Sequence, residues 1–322
     1  NKRSFWCIIK KMKIIYFGSD NNSKLVLENL VSSGNSVELV VTAPDSIRSR
    51  GNKKTPSVIK NYCLQNKINY IEEIPDQELI ISLEPDIIIV ASYGKIIPES
   101  IVNCSIYGTI NLHPSLLPKY RGPSPVQTAL INNEKITGVS IILLNNEVDG
   151  GPIISQVKYQ INNEQYHADL INELFKIGAK MINKILDNPR LISKAISQNE
   201  KEATYTNKIN KSDGYINWNE KGTKIIQLIK ALSGNPGTYS ILDNKKFKIF
   251  KARFLEEKNQ FDEPGTLGQN KDGGVYVSVS DGRIIIDEVQ IEGKNKISGP
   301  DFVRGHQIFF NLKNKKVFKK LS

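Results

Sequence analysis

Short apolar runs alternate with longer stretches of helical spacing along the first part of the chain. Five runs predict strands, at 13–19, 36–42, 85–94, 108–113 and 138–144. Three stretches predict amphipathic helices, at 25–34, 56–67 and 164–187. The run at 85–94 is continuous and β-branched, which is typical of a strand buried on both faces. The alternation predicts an α/β fold with a doubly wound, mostly parallel sheet.

The pattern changes after about residue 195. The segment 198–214 is polar, whereas 246–255 and 273–293 have the pattern of short strands with Asp-Gly turns, and 222–233 that of a helix. We therefore expect two domains behind a basic extension at 1–11. The first is Rossmann-like, at 12–197. A linker at 198–210 leads to a smaller C-terminal β-barrel of the OB-like type at 211–322.

Charge points to a polyanionic partner. The 322 residues include 44 Lys and Arg against 33 Asp and Glu, a net charge of +11. Residues 207–322 hold 21 of these basic residues against 13 acidic ones, a net +8. Nucleic acid or an anionic surface would bind such a domain, although a lysine-rich surface kept for solubility is the alternative. No apolar run approaches the roughly 20 residues that a membrane span needs.

Cysteine and histidine usage argues against a metal site. Cys7, Cys63 and Cys104 lack metal-type spacing, and their odd number favours a reducing compartment. Only three histidines are present, without zinc-type pairing. The first eleven residues contain four cations and no acid, which suits either the end of an organellar presequence or vector-derived residues.

Candidate chemistry lies at the end of the run 108–113. Asn111 and His113 are two residues apart, so both side chains point to one face of the predicted strand. Both can donate hydrogen bonds to a developing oxyanion. Asp149, after the next predicted strand and before two glycines, could orient the imidazole. Taken singly, an Asn or His at a strand end is usually a turn former or a hydrogen-bonded structural residue, and an Asp before two glycines is a common turn. No dinucleotide fingerprint, phosphate loop or G-x-S-x-G elbow is present, so the nucleophile would belong to the substrate.

The segment NLHPSLLPKYRG (111–122), followed by VDGGP (148–152), resembles the folate-dependent formyltransferases. The resemblance implies that Asn111, His113 and Asp149 are catalytic, with 10-formyltetrahydrofolate as formyl donor and no metal. It also implies a folate-binding role for Ser115, Leu116, Leu117 and Pro118. The stretch 91–98 is similar to the family's loop over the pterin, which adds Tyr93, Lys95, Ile96 and Ile97.

Within that family, the chain is most similar to the methionyl-tRNA formyltransferases. Residues 40–57 resemble their basic insertion, which implies tRNA contacts by Arg48, Arg50, Lys53 and Lys54. Residues 203–218 resemble the entry to their second domain. The resemblance therefore implies initiator methionyl-tRNA as acceptor. A disordered, solvated hairpin is the alternative for the basic loop.

The sequence alone is compatible with two rival functions. One is another enzyme that uses the same folate, either a hydrolase or an aminosugar formyltransferase. The other is a non-catalytic RNA-binding relative. We expect a monomer without membrane contact. The basic extension favours the mitochondrial matrix, and the bacterial cytoplasm is the alternative.

Overall fold

The computed structural model describes residues 11–47, 54–257, 262–310 and 317–318. The strands are β1 (Lys13–Phe17), β2 (Ser36–Val41), β3 (Ser46–Ile47), β4 (Lys54–Thr55), β5 (Tyr70–Ile71), β6 (Ile87–Ala91), β7 (Thr109–His113), β8 (Ile136–Leu143), β9 (Ile153–Gln160), β10 (Thr238–Leu242), β11 (Lys245–Glu256), β12 (Leu267–Gln269), β13 (Val275–Val279), β14 (Gly282–Ile291) and β15 (Ile297–Ser298). The helices are α1 (Asn21–Ser32), α2 (Val58–Asn66), α3 (Gln77–Ser82), α4 (Glu99–Val102), α5 (Pro125–Ile131), α6 (His167–Asp187), α7 (Gly222–Leu232) and α8 (Gly299–Gly305).

The chain forms two compact units. The first contains the residues up to Gly122 together with Ile136–Gln160 and Ile171–Thr206. The second contains Pro123–Lys135, Ile161–Leu170 and the residues from Asn207 onward. Helix α5 therefore belongs to the second unit, although it lies far from the others in sequence. The domain ranges expected from the sequence stay predictions.

A seven-stranded sheet forms the centre of the first unit, in the order β5-β2-β1-β6-β7-β8-β9. The pairs from β5 to β7 are parallel, and β8 and β9 are antiparallel additions at one edge. All five residues of β6 are buried, as its continuous apolar run predicts. The predicted Rossmann-like, mostly parallel sheet is confirmed.

The direction of β8 changes how Asp149 reaches the site. Ser140 pairs with His113 and Leu143 pairs with Ile110, so β8 ends beside the beginning of β7. If β8 ran parallel to β7, Asp149 would follow it directly at the end of the sheet where His113 lies. Instead, the loop 144–152 carries Asp149 back toward that end. An apolar run predicts a strand but not its direction, which explains the difference.

The helices of the first unit follow their sequence signals. The Oδ1 of Asp20 accepts from the backbone N–H of Ser23 at 2.8 Å, and the Ser23 hydroxyl oxygen accepts from the Asp20 N–H at 3.0 Å. This capping box starts α1 four residues earlier than its apolar spacing predicted. Helix α6, which spans the boundary between the two units, was predicted as amphipathic at 164–187, and its Leu170 and Leu174 are fully buried.

The second unit contains an antiparallel sheet in the order β10-β11-β14-β13-β12, with β15 paired to β14. Its core joins strand residues such as Phe247 and Ile284 to Ile229 of α7 and Phe302 of α8. The smaller C-terminal β domain expected from the sequence is confirmed, and the strands of its main sheet are antiparallel. In the part of the chain that the structure describes, no helix combines the length and apolarity needed to cross a membrane.

Candidate functional site

Asn111 and His113 lie near the carboxyl end of β7 and point to the same face of the sheet. Both reach the carboxylate of Asp149. The Nδ2 of Asn111 donates to Oδ1 of Asp149 at 3.4 Å, and the Nδ1 of His113 lies 3.5 Å from Oδ2. The imidazole is buried and Asp149 is 15% exposed. The structure thus brings together the three side chains that the sequence singled out.

The second ring nitrogen of His113 has a partner of its own. Nε2 lies 2.9 Å from the carbonyl oxygen of Tyr120. A carbonyl can only accept, so Nε2 carries the hydrogen of this bond. Both nitrogens of the imidazole therefore face acceptors, the Tyr120 carbonyl and the Asp149 carboxylate. This arrangement suits His113 as the partner of Asp149 more than as a free donor to an oxyanion.

The backbone around Asp149 turns sharply. Asp149 itself has a φ of +52°, in the left-handed region. A Cβ at Gly151 would come within 1.7 Å of the Leu143 carbonyl oxygen, so glycine is required there. The side chain of Asp149 is also fixed, because its Oδ2 accepts from the backbone N–H of Gly122 at 2.8 Å. The carboxylate is thus held by contacts to two separate segments.

After these contacts are made, Asn111 can still donate a hydrogen bond and Asp149 can still accept a proton. The Nδ2 of Asn111 carries two hydrogens, and only one points to Asp149, so the other can donate to a ligand oxygen. The Asp149 carboxylate can accept a proton, and the neighbouring imidazole can balance its charge. Stabilisation of an oxyanion next to a proton acceptor is the chemistry of acyl transfer to an amine.

The Ser115–Pro118 segment is held rigidly beside this site by β8 and β9. The Ser140 hydroxyl donates to the Ser115 carbonyl at 2.7 Å and accepts from the Leu117 N–H at 3.2 Å. The Nε2 of Gln156 donates to the Leu117 carbonyl at 2.9 Å. Leu116 packs so closely on Gly138 that a Cβ there would lie 2.4 Å from its Cδ2 atom.

The stretch 91–98 begins at the last residue of β6, which is parallel to β7 and ends beside it. The Tyr93 ring packs edge-on against Phe17, with centroids 5.3 Å apart, and burial raises the pKa of its hydroxyl. That hydroxyl has no hydrogen-bond partner among the described residues. Lys95 is exposed, Ile96 is 92% exposed and Ile97 packs on the core of the first unit. An apolar side chain this exposed is available to a ligand.

The predicted tRNA loop lies largely outside the described residues. Arg48, Arg50 and Lys53 are not described, and Lys54 belongs to β4, which pairs with β3. At the base of the loop, the Lys60 ammonium lies 2.9 Å from Asp45 and 2.6 Å from Glu72. The contact with Asp45 anchors the chain that precedes the loop to helix α2.

Two residues beside the site, Arg121 and Gln198, carry no signal of their position in the sequence. Arg121 looked like part of a basic loop, but its side chain is only 1% exposed and is paired with Glu200. Gln198 looked like part of a polar linker, but its amide contacts the backbone of Asp149. Their partners lie tens of residues away, so no local signal could have identified them. Among the described residues, no group of three or more His, Cys, Asp or Glu side chains is arranged to hold a metal.

Two family models match the chain. The model described as "Formyl transferase" matches residues 10–186, and "Formyl transferase, C-terminal domain" matches residues 208–307. A protein named methionyl-tRNA formyltransferase from Dictyoglomus thermophilum is 38% identical over 310 residues, covering 92% of this chain and 98% of the relative. A protein of the same name from Agathobacter rectalis is 32% identical, covering 94% of this chain and 100% of its own length.

Solved structures share the fold. The sugar 3N-formyl transferase WlaRD, solved with dTDP and 5-N-formyl-THF, has a TM-score of 0.64 at 23% identity, covering 88% of this chain and 99% of its own. HypX from Aquifex aeolicus, in complex with tetrahydrofolic acid, has a TM-score of 0.65 at 17% identity, covering 96% of this chain and 51% of its own. At these identities the similarity concerns the architecture alone.

Proposed function

The chain belongs to the formyl transferase family, and we propose that it transfers the formyl group of 10-formyltetrahydrofolate to the amino group of methionyl-initiator tRNA. The product is N-formylmethionyl-tRNA, which serves translation initiation. The choice of acceptor is supported by relatives named methionyl-tRNA formyltransferase that match along nearly their whole length.

One observation carries the chemistry: the Asn111 amide and the His113 imidazole both reach the Asp149 carboxylate, at 3.4 and 3.5 Å. The methionyl amine attacks in its neutral form, which the ester favours by lowering the pKa below the usual value of about 7.7–8.0. A bond forms between the amine nitrogen and the formyl carbon, and the formyl oxygen becomes an oxyanion. The second amide hydrogen of Asn111 stabilises that oxyanion.

Asp149 then transfers a proton from the amine to the folate. It accepts the proton released by the attacking amine and delivers it to N10 of the folate while the bond between N10 and the formyl carbon breaks. His113 balances the charge of Asp149 during this transfer. The amine thus loses one proton, N10 gains one, and no oxidant, reductant or metal takes part in these steps.

The folate lies against two loops in this proposal. Ser115, Leu116, Leu117 and Pro118 form one side, and their hydrogen bonds to Ser140 and Gln156 make that side rigid. The other side consists of Tyr93, Lys95, Ile96 and Ile97. The exposure of Ile96 supports a contact with a flat, partly polar ring, as does the Tyr93 hydroxyl, which has no partner in the part of the chain that the structure describes.

The tRNA contacts are assigned to Arg48, Arg50, Lys53 and Lys54 and to the second unit. That unit contains a cavity of about 310 Å³ whose lining includes Lys211, Lys246, Lys248 and Tyr239. Lysine ammonium groups bind phosphates by charge, and such binding weakens as salt rises. The net charge of +8 on residues 207–322 supports the same assignment.

The relatives also bear on localisation. They are proteins of bacteria, which supports a setting with translation of the bacterial type. We therefore propose a bacterial cytoplasm instead of the mitochondrial matrix that the basic extension favoured.

The function is tested with the purified chain and 10-formyltetrahydrofolate. The acceptors are methionylated initiator tRNA, methionylated elongator tRNA and a dTDP-aminosugar, next to a reaction without acceptor. We expect rapid formylation of initiator methionyl-tRNA only. Formylation of the aminosugar, or equal loss of the formyl group without acceptor, would assign the chain to one of the rival folate enzymes. Tight RNA binding with no turnover of any acceptor would indicate a non-catalytic relative.

A further inference from the structure

The side chain of Gln198 holds the backbone on both sides of Gly150. Its Nε2 donates to the carbonyl oxygens of Asp149 and Gly151, each at 2.7 Å. Gln198 lies 49 residues beyond Asp149 in the sequence, at the start of the polar segment that leads away from the first unit's last helix. These two bonds act on the short turn that carries the Asp149 carboxylate.

Arg121 holds Gln198 in turn. Its Nε and Nη2 donate to the Gln198 Oε1 at 3.1 and 2.9 Å. The remaining N–H groups donate to the two Glu200 oxygens, at 2.9 and 2.6 Å, and to the Tyr205 hydroxyl oxygen at 3.0 Å. All five donors of a buried guanidinium are thereby used, and the bond to Glu200 raises the pKa of Arg121.

This arrangement dictates how the Gln198 amide is oriented. The guanidinium can only donate, so the amide oxygen must face Arg121. The Asp149 and Gly151 carbonyls can only accept, so the amide nitrogen must face them. Rotation of the amide by 180° would break all four of these bonds. Gln198 therefore links a permanently charged, buried group to the Asp149 turn.

The Asp149 turn needs such support. A φ of +52° at a residue other than glycine costs about 1–2 kcal/mol in isolation. The Gly122 N–H meanwhile fixes the side chain through Oδ2, at 2.8 Å. Arg121 and Gly122 thus position Asp149 in two ways. The Gly122 N–H binds the Asp149 carboxylate, and the Arg121 side chain orients Gln198, which binds the Asp149 backbone.

We propose that Gln198, oriented by Arg121, is a positioning residue that places the Asp149 carboxylate against Asn111 and His113. Its effect on rate rests on the function proposed above. A purely structural role would be to fasten the segment 198–206. Backbone bonds already join that segment to Arg121, from Arg121 N–H to the Thr204 carbonyl and from Thr206 N–H to the Arg121 carbonyl, both at 2.8 Å. The bonds from Gln198 Nε2 add the link to Asp149.

Gln198→Glu is the sharpest test, because it keeps the shape and the acceptor for Arg121 but replaces both N–H donors by an oxygen that faces two carbonyls. We expect turnover to fall about tenfold to hundredfold, the scale of a displacement near 1 Å. The KM for the folate donor should stay close to the wild-type value. The matched control is Asn199→Asp, the same chemical change at an exposed neighbour that contacts Lys201 and Glu202 instead. It should leave turnover unchanged.

A second measurement needs no substrate. The chain has three histidines, so the ring nitrogen signals of His113 can be assigned in NMR spectra by comparison with a His113→Asn variant. A displaced Asp149 carboxylate changes the charge beside Nδ1. We expect the His113 signals to shift in Gln198→Glu and to stay in place in Asn199→Asp.

Wild-type turnover together with unshifted His113 signals in a folded Gln198→Glu protein would overturn the proposal. If that variant does not fold, Gln198→Met, neutral and of similar length, replaces it and is judged by the same two results. If the wild type does not formylate methionyl-tRNA but the His113 signals respond as expected, the positioning role stands and the proposed function fails.

Discussion

Asn111 is the most adaptable of the three side chains at the site. Its bond to Asp149 is long, at 3.4 Å, whereas the His113 bond to Tyr120 and the Gly122 bond to Asp149 are 2.9 and 2.8 Å. A long bond contributes little, so Asn111 can turn toward an incoming oxyanion at small cost. His113 and Asp149 would have to give up tighter contacts. At the residue scale, we therefore expect the Asn111 amide to be the donor that responds to the substrate.

Replacement of Asn111 by alanine should lower turnover about a hundredfold or more, the scale of a lost oxyanion donor. The melting temperature should change little because the deleted bond is weak. Steady-state kinetics with methionyl-tRNA and a thermal melt measure both effects. The control is Asn103→Ala, at an exposed residue that follows α4. Turnover within about threefold of the wild type would remove Asn111 from the oxyanion role.

At the scale of elements, the antiparallel strands β8 and β9 act as a support for the Ser115–Pro118 segment. Ser140 is fully buried on β8, opposite His113, and its hydroxyl contacts both Ser115 and Leu117. Gln156 of β9 donates to the Ser140 hydroxyl oxygen at 2.9 Å. The Ser140 side chain thus connects β8 and β9 to Ser115–Pro118, the proposed folate loop.

Ser140→Ala should leave the Ser115 carbonyl and the Leu117 N–H without this partner, which costs about 1–3 kcal/mol of unfolding free energy. The loosened loop should raise the KM for the folate donor more than it lowers turnover. Urea unfolding and kinetics at varied folate measure these effects. Ser155→Ala on β9 is the control. Equal KM values in Ser140→Ala and the wild type would separate this loop from folate binding.

At the scale of the whole molecule, the net charge of +11 attracts polyanions and also makes the folded state sensitive to acid. Each carboxylate that is protonated adds to the positive charge. His167, at the start of α6, adds a specific contribution. Its Nε2 is buried without a hydrogen-bond partner among the described residues, and burial lowers the pKa of the imidazole to about 4.

His167 should therefore make folding stability fall in mild acid. Its pKa is about 4 when folded and 6.5 ordinarily, so the unfolded chain binds the proton first. Above pH 6.5 the imidazole is neutral in both states and does not lower the unfolding free energy. As the pH falls toward 4, the unfolded state binds the proton and the unfolding free energy decreases. We expect about 2 kcal/mol less unfolding free energy at pH 5 than at pH 8 from this residue alone. Urea unfolding at both pH values should show that the unfolding free energy of His167→Gln decreases less between pH 8 and pH 5 than that of the wild type. Equal decreases in the variant and the wild type would contradict this.

The hydrophobic pattern predicted the central strands well because their burial on both faces demands continuous apolar runs. It missed β9, whose residues are partly or fully exposed and do not alternate strictly. It also could not give the direction of β8, since an apolar run reads the same in either direction. The route by which Asp149 reaches the site therefore required the structure.

The motif singled out Asn111, His113 and Asp149, which the structure brings together, but nothing in the sequence indicated that Arg121 is buried. A formal charge in a loop suggests exposure, and only a fully satisfied set of hydrogen bonds makes a buried guanidinium stable. The acceptors that satisfy it, on Gln198, Glu200 and Tyr205, lie 77 to 84 residues further along the chain. Such pairing depends on the folded chain and leaves no local pattern in the sequence.

The attachment of residues 198–206 to Arg121 decides where the protein can be divided. A fragment truncated at residue 197 would lose Gln198, Glu200 and Tyr205, and with them every side-chain acceptor of that guanidinium. It would also lose the backbone pairing supplied by Thr204 and Thr206. A recombinant fragment with the catalytic activity should therefore extend at least through residue 206, because a cut nine residues earlier would leave the buried Arg121 guanidinium without these acceptors.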